Sequence, residues 1–402
     1  MSTGEPTQAP PAAASRTLLI SVASIGFAQT VLFAILAPLG REIGLVEMHI
    51  GAIISASSLT IFFASPRWGR ASDVWGRRRI LLIGLFGYAL GTAIFAGVFQ
   101  AALLGLLLPM AAFIALTIAR VGNAVVMAAV FPASNAYMAD ITSVTNRTKG
   151  MAALGAANNI GSMLGPAVGG LLTSITLLTP LYFSTLLTLI AAVLALVALP
   201  ELPRHTSTVK PPRMKYSDPR ILPFVIAGTS IFMGFAIVQQ TIAFRFQDTL
   251  GLSGAETAQV TGIAMMLSAG ASLFAQMVLI PRMDVQPFVL LRVAMPVMLT
   301  AFATMALGST QMSFTIAMVV LGLGMGFAGP GFMAGASLAV SAEEQGGVAG
   351  VAASCPPLGF TVGPLLGTFL YSLDPSYPYW FAGLIYVCLS IFMFRVKVAR
   401  KT

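Results

Sequence analysis

The sequence is dominated by repeated stretches of about 20 apolar residues, the length that an α-helix needs to cross the roughly 30 Å hydrocarbon core of a bilayer. Of its 402 residues, 57% are apolar and 9% carry a charge, whereas about 25% of the residues of an ordinary soluble domain are charged. So few charged residues cannot cover the water-exposed surface of a soluble fold of this size. Barrel strands are about 10 residues long and alternate polar with apolar side chains, unlike these runs. The chain is therefore predicted to be an all-α integral membrane protein.

Twelve transmembrane helices are predicted from the apolar runs. Their expected ranges are residues 17–40, 49–66, 80–104, 112–138, 150–176, 180–200, 220–246, 256–280, 286–308, 311–339, 346–372 and 378–396. The basic, proline-containing stretch 201–219 divides the spans six and six, so it is interpreted as a cytoplasmic linker. We expect an N-terminal bundle over 17–200 and a C-terminal bundle over 220–397. Residues 1–16 and 398–402 are predicted to be cytoplasmic tails, the first of them disordered.

An internal duplication relates the two halves. A shift of 198 positions superposes Pro132 on Pro330, Ser143 on Ser341, Gly161 on Gly359, Gly165 on Gly363, Pro166 on Pro364 and Gly169 on Gly367. Repeats of this kind are typical of transporter folds. The two six-helix bundles are therefore expected to be pseudo-symmetric.

The basic residues indicate the orientation. If both termini are cytoplasmic, 19 of the 22 Lys and Arg residues lie on that side, and the exceptions are Arg41, Arg120 and Arg245. The positive-inside rule favours this topology, with both termini in the cytoplasm. A bacterial-type inner membrane is the expected location. The net charge of +9 does not indicate nucleic-acid binding, because that requires basic residues on one solvated face.

No metal site or cofactor is expected from the sequence. Cys355 and Cys388 both lie inside apolar runs, which offers neither a disulfide framework nor the paired cysteines of a zinc site. An enzyme embedded in the membrane would need convergent His, acidic or Cys groups at membrane depth, and the spans contain almost none. A receptor would be expected to carry an additional soluble domain, yet no polar stretch between the ends exceeds about 20 residues.

The loop predicted between the second and third spans carries a motif. It reads Gly69-Arg-Ala-Ser-Asp73-Val-Trp-Gly76-Arg77-Arg78 and resembles the signature G-x-x-x-D-x-x-G-R-[KR] of the major facilitator superfamily. Gly69 would let another helix approach, Asp73 would face a helix N-terminus, and Arg77 would pair with a carboxylate. The alternative is a basic cluster that only fixes the topology.

The fifth span carries Gly161-x-x-x-Gly165-Pro166-x-x-Gly169, which resembles the signature of antiporter branches of the same superfamily. Glycines on neighbouring turns allow close helix packing, and proline kinks a helix. Matching positions of the second half are Gly359, Gly363 and Pro364. Both sets are interpreted as part of a conformational switch, with simple close packing as the alternative.

The fourth span contains Arg120-Val-Gly-Asn123, which is similar to the R-x-x-Q-G pattern of the superfamily, with Asn123 where glutamine is usual. A charged residue within a span costs at least about 2.5–3.5 kcal/mol, so it normally faces a cavity or a partner. Arg120 is therefore a candidate for contact with an anionic group or for coupling. Snorkelling of Arg120 to the interface is the alternative.

The second half has acidic residues where the first has Asp140 and Arg147 after its fourth span. Glu343 and Glu344 precede the eleventh span, and the resemblance implies that this span neighbours the motif of Gly69–Arg78. We expect Arg77 or Arg78 to pair with one of these glutamates and to latch the cytoplasmic side shut.

The resemblance also implies a substrate cavity between the two halves. Polar residues and one ring placed deep in the lining spans are the candidate binding residues: Gln29, Phe33, Arg120, Asn123, Asn158, Asn159, Gln239, Gln240 and Arg245. A structural hydrogen bond between helices is the alternative for each amide. For Arg245 the alternative is an interfacial anchor, neutralised by Asp248 three residues on.

No Asp or Glu occupies the middle of a predicted span. Exporters of organic cations in this superfamily usually hold a buried carboxylate, so this sequence disfavours a lipophilic polycation and favours a neutral or acidic substrate. The resemblance implies a monomeric secondary transporter that exports a metabolite, siderophore-like compound or drug by alternating access, driven by an ion gradient, with protons as the expected ion. A proton-symport importer of a small organic acid or another solute is the alternative.

Overall fold

The computed structural model describes residues 12–143, 146–202, 214–283, 285–341 and 344–395. No β-strand occurs among these residues, which form helices and short connections. In chain order the helices are α1 (Ala12–Glu42), α2 (Glu47–Trp75), α3 (Arg77–Leu103), α4 (Pro109–Met127), α5 (Val130–Ile141), α6 (Arg147–Leu172), α7 (Thr179–Ala198), α8 (Leu222–Leu250), α9 (Gly254–Phe274), α10 (Pro287–Leu307), α11 (Gln311–Leu338), α12 (Gln345–Leu373) and α13 (Tyr377–Arg395).

The helices match the lengths that a membrane requires. Within the described ranges, eleven spans are long and apolar enough to cross a bilayer, and one of them, Pro109–Ile141, comprises α4 and α5. The remaining long helix, α6, has 26 residues, which is about 39 Å at 1.5 Å per residue. Its glycines and two asparagines lower its hydropathy. The all-α membrane class predicted from the sequence is confirmed, and the predicted fifth span is a helix although its composition alone does not identify it.

Helix ends differ from the predicted ranges at both ends of α1 and α2. The chain is helical from Ala12, so the predicted N-terminal tail overlaps α1 at residues 12–16, and residues 1–11 lie outside the described part. α2 continues nine residues beyond its predicted end at 66, up to Trp75. The end of a span can extend as a helix because its polar side chains and carbonyl groups meet water beyond the hydrocarbon core.

A local break separates α4 from α5. Pro132 has no N–H, so the carbonyl of Ala128 cannot accept the usual helical bond. Ala129 N–H turns to the Val126 carbonyl at 3.1 Å, and the carbonyl of Val125 is freed. The indole N–H of Trp68 on α2 donates to this carbonyl at 2.6 Å. The break thus leaves a polar group that another helix satisfies, as buried backbone requires.

A second irregularity follows α9. The chain forms one wide π turn over Ala275–Leu279 and one tight 3₁₀ turn over Ile280–Arg282. Pro281 lies in the tight turn, where its missing N–H prevents a regular helix from continuing. The helix therefore narrows and ends at the basic residue Arg282.

The described residues group into two compact units. The first unit takes its residues from 1–32 and 60–207, and its core includes Leu18, Leu85, Tyr88 and Tyr137. The second takes its residues from 33–59 and 208–402, and its core includes Met298, Phe302, Phe314, Phe332 and Tyr386. The division into 17–200 and 220–397 predicted from the linker differs from this grouping at residues 33–59. Residues 203–213 of the linker lie outside the described part.

The segment 33–59 belongs to the second unit because it packs on α8 and α12. A Cβ at Gly51 of α2 would lie 2.7 Å from the Pro364 carbonyl oxygen of α12, so the two backbones touch. The Ser55 hydroxyl accepts a hydrogen bond from the Leu365 N–H at 3.1 Å. The last part of α1 and the first part of α2 are thus held by the second unit.

Candidate functional site

The motif Gly69–Arg78 lies on the end of α2 and the start of α3. The sequence predicts a loop at this point, but only Gly76 separates the two helices. Gly76 has a φ of +96°, which is the left-handed region that favours glycine. The motif therefore forms a one-residue corner, and the rest of its residues are helical.

Arg77 connects three helices of the first unit. Its guanidinium pairs with the Asp73 carboxylate one turn earlier, and its Nε donates to Asp140 Oδ2 on α5 at 3.2 Å. Gly69 is less constrained, since a Cβ there would lie 3.8 Å from Pro132, an ordinary contact. The carboxylate partners of Arg77 in the structure are therefore local to this unit.

Two other members of the expected latch, Arg78 and Glu344, pair with other groups in the structure. Arg78 donates to the Leu196 carbonyl in the last turn of α7 at 2.6 Å. The Glu344 carboxylate accepts two bonds from Arg220, at 2.9 and 2.8 Å. Glu343 lies outside the described residues. The pairing of the motif arginines with these glutamates stays a prediction.

The glycines of α6 bring its backbone against α1. A Cβ at Gly165 would lie 2.5 Å from the Phe27 carbonyl oxygen, and one at Gly169 would lie 3.1 Å from the side chain of Val31. Gly161 faces α1 in the same way, two turns before Gly169. Pro166 is accommodated inside the continuous helix. The structure gives this motif a packing role, and its role in switching stays a prediction.

The second half repeats this arrangement between α12 and α8. A Cβ at Gly359 would lie 2.6 Å from the backbone nitrogen of Met233, and one at Gly363 would lie 2.7 Å from the Met233 carbonyl oxygen. Pro364 is again inside the helix. Equivalent helices of the two halves therefore cross at equivalent glycines, as the shift of 198 residues in the sequence indicates.

Arg120 and Asn123 lie buried on one face of α4. Arg120 is 5% exposed and Asn123 is 2% exposed, and both side chains point toward α3. Asn123 Nδ2 donates to the Thr92 hydroxyl at 3.2 Å. Gly91 makes room for the Asn123 side chain, whose Oδ1 would lie 2.7 Å from a Cβ at that position. The sequence of α3 thus provides a recess for the polar face of α4.

Among the described residues, no acidic side chain forms an ion pair with the guanidinium of Arg120. It interacts with the phenol of Tyr88 on α3, while its Nε and the Oδ1 of Asn123 have no hydrogen-bond partner among the described residues. Arg120 lies 11 residues after the start of α4, or about 16 Å along the helix. A buried cation, a free N–H donor and a free amide oxygen therefore lie together within a span.

The predicted amides differ in exposure. Gln29, Asn158 and Gln239 are half-buried, Asn159 is exposed and Gln240 is buried. The two asparagines lie on different faces of α6, as neighbouring helical residues must. Asn158 Oδ1 and Gln240 Oε1 have no hydrogen-bond partner in the described part of the chain. Their substrate contacts stay predictions.

Phe33 belongs to a cluster of rings that the sequence did not indicate. Its ring centroid lies 5.9 Å from that of Phe360 on α12, which lies 6.3 Å from that of Phe235 on α8. All three rings are half-buried. Gln239 follows Phe235 by one turn and so shares its face of α8. The second unit therefore has an aromatic surface with an amide beside it.

The side chain of Arg245, a residue of α8, lies against the C-terminal end of α10 and not among these rings. Its Nη2 donates to the carbonyls of Ala306 and Gly308 at 3.2 and 3.3 Å, and its guanidinium lies 5.5 Å from the Phe314 ring centroid. Cations are stabilised at helix C-termini, where carbonyls lack partners. This placement fits the anchor that the sequence offered as the alternative, and substrate binding by Arg245 stays a prediction.

Arg41 is the main partner of Asp248, a pairing that sequence analysis missed. Nη1 of Arg41 donates to Asp248 Oδ1 at 2.5 Å and Nη2 donates to Oδ2 at 2.9 Å. Nη2 also pairs with Glu47 at 2.5 Å. The Tyr371 hydroxyl donates to Asp248 Oδ2 at 2.7 Å. Neutralisation of Arg245 by Asp248, the alternative offered by the sequence, stays a prediction, and Asp248 feels the charge of Arg245 as well as that of Arg41.

Comparison with known proteins identifies the family. The model of the Major Facilitator Superfamily matches residues 18–356. The chain is 25% identical over 352 residues to "Multidrug resistance protein 1" of Bacillus subtilis (strain 168), covering 85% of each chain. It is 27% identical over 383 residues to "Tetracycline resistance protein, class C" of Escherichia coli, covering 90% of this chain and 89% of that one. The solved structure of a D-xylose-proton symporter is similar with a TM-score of 0.76 and 17% identity, covering 97% of this chain and 98% of that one.

The chain belongs to the major facilitator superfamily. The resemblance found in the motifs of α2, α4 and α6 is thereby confirmed. Members of this family are membrane transporters, so the chain is a multi-pass membrane protein that handles a small-molecule substrate.

Proposed function

We propose that this chain is a proton-coupled antiporter that exports a small neutral or acidic molecule with an aromatic or other apolar body. Export is supported by the relatives named as multidrug and tetracycline resistance proteins. The apolar body is suggested by the half-buried rings of Phe33, Phe235 and Phe360. Metabolites, siderophore-like compounds and drugs are the classes to test.

The charge of the substrate is inferred from Arg120. Its guanidinium is buried within a span and its Nε lacks a partner among the described residues. Every acidic residue in the described helices lies within two turns of a helix end. A buried cation with no carboxylate at the same depth favours a neutral or negatively charged ligand and disfavours an organic cation.

The remaining assignments belong to the same proposal. The protein acts as a monomer in a bacterial-type inner membrane with both termini in the cytoplasm. An ion gradient, and no bound cofactor or metal, drives transport. Neither catalysis nor nucleic-acid binding is part of the function.

Flux in proteoliposomes tests the direction and the coupling. The purified protein is reconstituted, a pH gradient of either sign is imposed, and uptake of acidic metabolites, metal chelators and neutral antibiotics is followed. Solute movement in the direction opposite to the flow of protons supports antiport. Movement of solute together with protons would replace this proposal by the importer.

The role of Arg120 is tested in the same vesicles. Arg120→Lys keeps the charge but loses the planar guanidinium, and we expect affinity for an acidic substrate to fall by about tenfold or more. Arg79→Lys is the matched control, because Arg79 is exposed at the start of α3. Equal affinities in the two variants would remove Arg120 from the substrate site.

A further inference from the structure

The connection between α3 and α4 has no polar side chain. It covers residues 104–108, and no residue from 101 to 116 carries a hydroxyl, amide or charged group. We refer to residues 103–110 as the leucine turn. The proposed function makes no use of it. Turns that meet water are usually built from Gly, Pro, Asn, Asp and Ser, so the composition of this turn needs another explanation.

The side chains of the leucine turn are exposed on the surface of the protein. Leu106 and Leu108 are 73% and 78% exposed, and Leu104 and Met110 are exposed as well. Neither α3 nor α4 covers these side chains. Contiguous exposed apolar residues mark a surface that binds a membrane or another apolar partner.

Other turns on the same side of the membrane are more polar. Two spans, α4–α5 and α6, separate the leucine turn from the α6–α7 turn, so these two turns lie on the same side. The α6–α7 turn exposes Ser174 and Thr176. By the same count the α10–α11 turn, where the Thr310 side chain caps α11, and the α12–α13 turn, which contains Asp374, also lie there. The apolar composition is therefore not a general property of this side.

The backbone at the end of α3 forms its hydrogen bonds within the turn. Gly105 has a φ of +73°, and its N–H donates to the Ala102 carbonyl at 2.9 Å, while the Leu106 N–H donates to the Ala101 carbonyl at 3.0 Å. This pair of bonds is the Schellman motif, which satisfies carbonyls that a helix end leaves free. Pro109 has no N–H. These groups need no water, so this end of the hairpin can lie next to lipid.

Exposed apolar residues continue from the turn along both helices. On α4, Met110, Ile114 and Ile118 are exposed at intervals of four residues and so lie on one face. On α3, Leu90 and Ile94 are exposed in the same way. The stripe on α4 begins within the leucine turn itself. Apolar faces that a membrane span leaves exposed are covered by hydrocarbon, and the turn extends that surface.

The length of α3 places the turn at the lipid headgroups. α3 has 27 residues, which is about 40 Å at 1.5 Å per residue. It begins with three arginines, Arg77, Arg78 and Arg79, which belong in one headgroup layer. The hydrocarbon core is about 30 Å thick and the whole bilayer about 40–45 Å. The far end of α3 therefore reaches the opposite headgroup layer.

We infer that the leucine turn binds the lipid bilayer: it inserts at the boundary between headgroups and acyl chains, in the leaflet opposite the motif Gly69–Arg78, and anchors the α3–α4 hairpin there. Apolar protein segments bury about 5–10 Å deep at this boundary. Lipid is the occupant because the exposed stripe on α4 runs without interruption from the turn into the membrane span. The inference depends on neither the substrate nor the direction of transport.

Fluorescence quenching measures where the turn lies. Full-length protein carrying Cys355→Ser and Cys388→Ser receives one reporter, Leu106→Cys, labelled with a small environment-sensitive fluorophore. It is reconstituted at about one protein per vesicle in phosphatidylcholine and phosphatidylglycerol. One quencher is phosphatidylcholine with a nitroxide near the top of its acyl chain, and the other is iodide on both faces. Ser174→Cys, an exposed site in the α6–α7 turn, is the matched control.

Insertion predicts opposite responses at the two sites. The Leu106 reporter should be quenched strongly by the nitroxide lipid, with an iodide quenching constant roughly fivefold smaller than that of the Ser174 reporter. The Ser174 reporter should respond mainly to iodide.

A second variant tests whether the leucines hold the turn in the lipid. Leu108→Asp adds a charge that is costly among acyl chains, so iodide quenching at a Leu104→Cys reporter should rise severalfold. Thr176→Asp, with the reporter at Ser174→Cys, is the matched control and should change little. Size-exclusion elution like that of the parent shows that each variant is folded.

Three results would overturn the lipid anchor. Equal iodide quenching at Leu106 and Ser174 would place the turn in water. Protection of Leu106 that appears only at a high ratio of protein to lipid would assign the surface to a second copy of the chain. Protection in native membranes but not in vesicles of pure lipid would assign it to a protein partner. None of these outcomes bears on the flux experiment, because quenching requires no transport.

Discussion

Gly76 occupies a single backbone conformation that sets the corner between α2 and α3. Its φ of +96° lies in a region that residues with a Cβ adopt only with strain, of the order of 1–3 kcal/mol. Gly76→Ala should therefore lower the free energy of unfolding by about 1–3 kcal/mol, measured as a lower melting temperature in detergent.

The control for this change is Gly97→Ala in α3. Gly97 has no atom within 4 Å of an added Cβ, and alanine favours a helix over glycine by about 1 kcal/mol. The control should be neutral or slightly stabilising. Equal melting temperatures for the two variants would show that the corner is not strained.

Glu344 gives the molecule a measurable dependence on pH outside the membrane. Hydrogen bonds from Arg220, together with one from the Ser341 N–H, lower the pKa of the Glu344 carboxyl to about 2. A carboxyl with a lower pKa in the folded state stabilises the fold above its unfolded pKa, and this contribution is lost as the pH falls through the folded pKa.

We therefore expect the difference in melting temperature between the parent and Glu344→Gln to be largest near neutral pH. It should shrink below about pH 4.3, the ordinary value for Glu, and vanish near pH 2. Glu201→Gln is the control, since Glu201 is exposed just after α7. A difference that stays constant from pH 7 to 3 would contradict the assigned pairing.

At the scale of single residues, the sequence identifies some of the candidate site residues but not the pairs that they form. Arg120 and Asn123 were identified because a charge and an amide inside an apolar run stand out. Arg41 and Asp248 are 207 residues apart, and each lies near a helix end, where charged residues are common. No local pattern relates them, so only the fold reveals their pairing. The ring partners of Phe33 were missed for the same reason.

The glycine-bearing helices α6 and α12 show how elements are fitted together. At both crossings a glycine lies against the backbone of the neighbouring helix, and no side chain can be inserted without movement. Close approach of this kind is how helices associate in membranes, where the lipid is as apolar as the side chains.

Gly165→Ala should push α1 from α6, because the new Cβ would lie 2.5 Å from the Phe27 carbonyl oxygen. Overpacking costs about 1–3 kcal/mol, so we expect a lower melting temperature and reduced flux. Gly155→Ala, on the same helix with no atom within 4 Å of its added Cβ, should leave both unchanged. Comparable losses in the two variants would show that the contact with Phe27 does not explain them.

The same pair of measurements applies to the second half. Gly363→Ala would place a Cβ 2.7 Å from the Met233 carbonyl oxygen, whereas Gly350→Ala meets no atom within 4 Å. A duplicated unit predicts the same ranking in both halves. A lower melting temperature and flux for Gly165→Ala without the same change for Gly363→Ala would indicate that the two helix crossings have different roles.

At the level of elements the sequence was a good guide to position and a poor guide to irregularity. The predicted span 346–372 corresponds to Gln345–Leu373, and 112–138 corresponds to the span Pro109–Ile141. The break before Pro132 was not predicted, because proline is often tolerated in membrane helices when another group satisfies the freed carbonyl. Here Trp68 does so, and this indole lies on a different helix.

A duplication relates the two halves of the sequence, but the grouping of the helices in the structure departs from these halves at residues 33–59. The linker after α7 and the shift of 198 residues predict two halves in sequence. In the structure, residues 33–59 of α1 and α2 group with the C-terminal half. The ion pair between Arg41 and Asp248 and the contact of Gly51 with α12 both lie within this unit. Sequence repeats cannot reveal this grouping, since it depends on which contacts a given conformation makes.

The proposed export by alternating access predicts that residues 33–59 separate from α12 during each transport cycle. A crosslink between Ser55→Cys and Leu365→Cys, whose parent residues share a hydrogen bond, tests this prediction in protein lacking both native cysteines. Each single-cysteine variant, treated in the same way, serves as the control. We predict that oxidation of the pair in proteoliposomes stops solute flux and that reduction restores it. Flux that continues at the parent rate with the crosslink formed would contradict transport through an opening at this end.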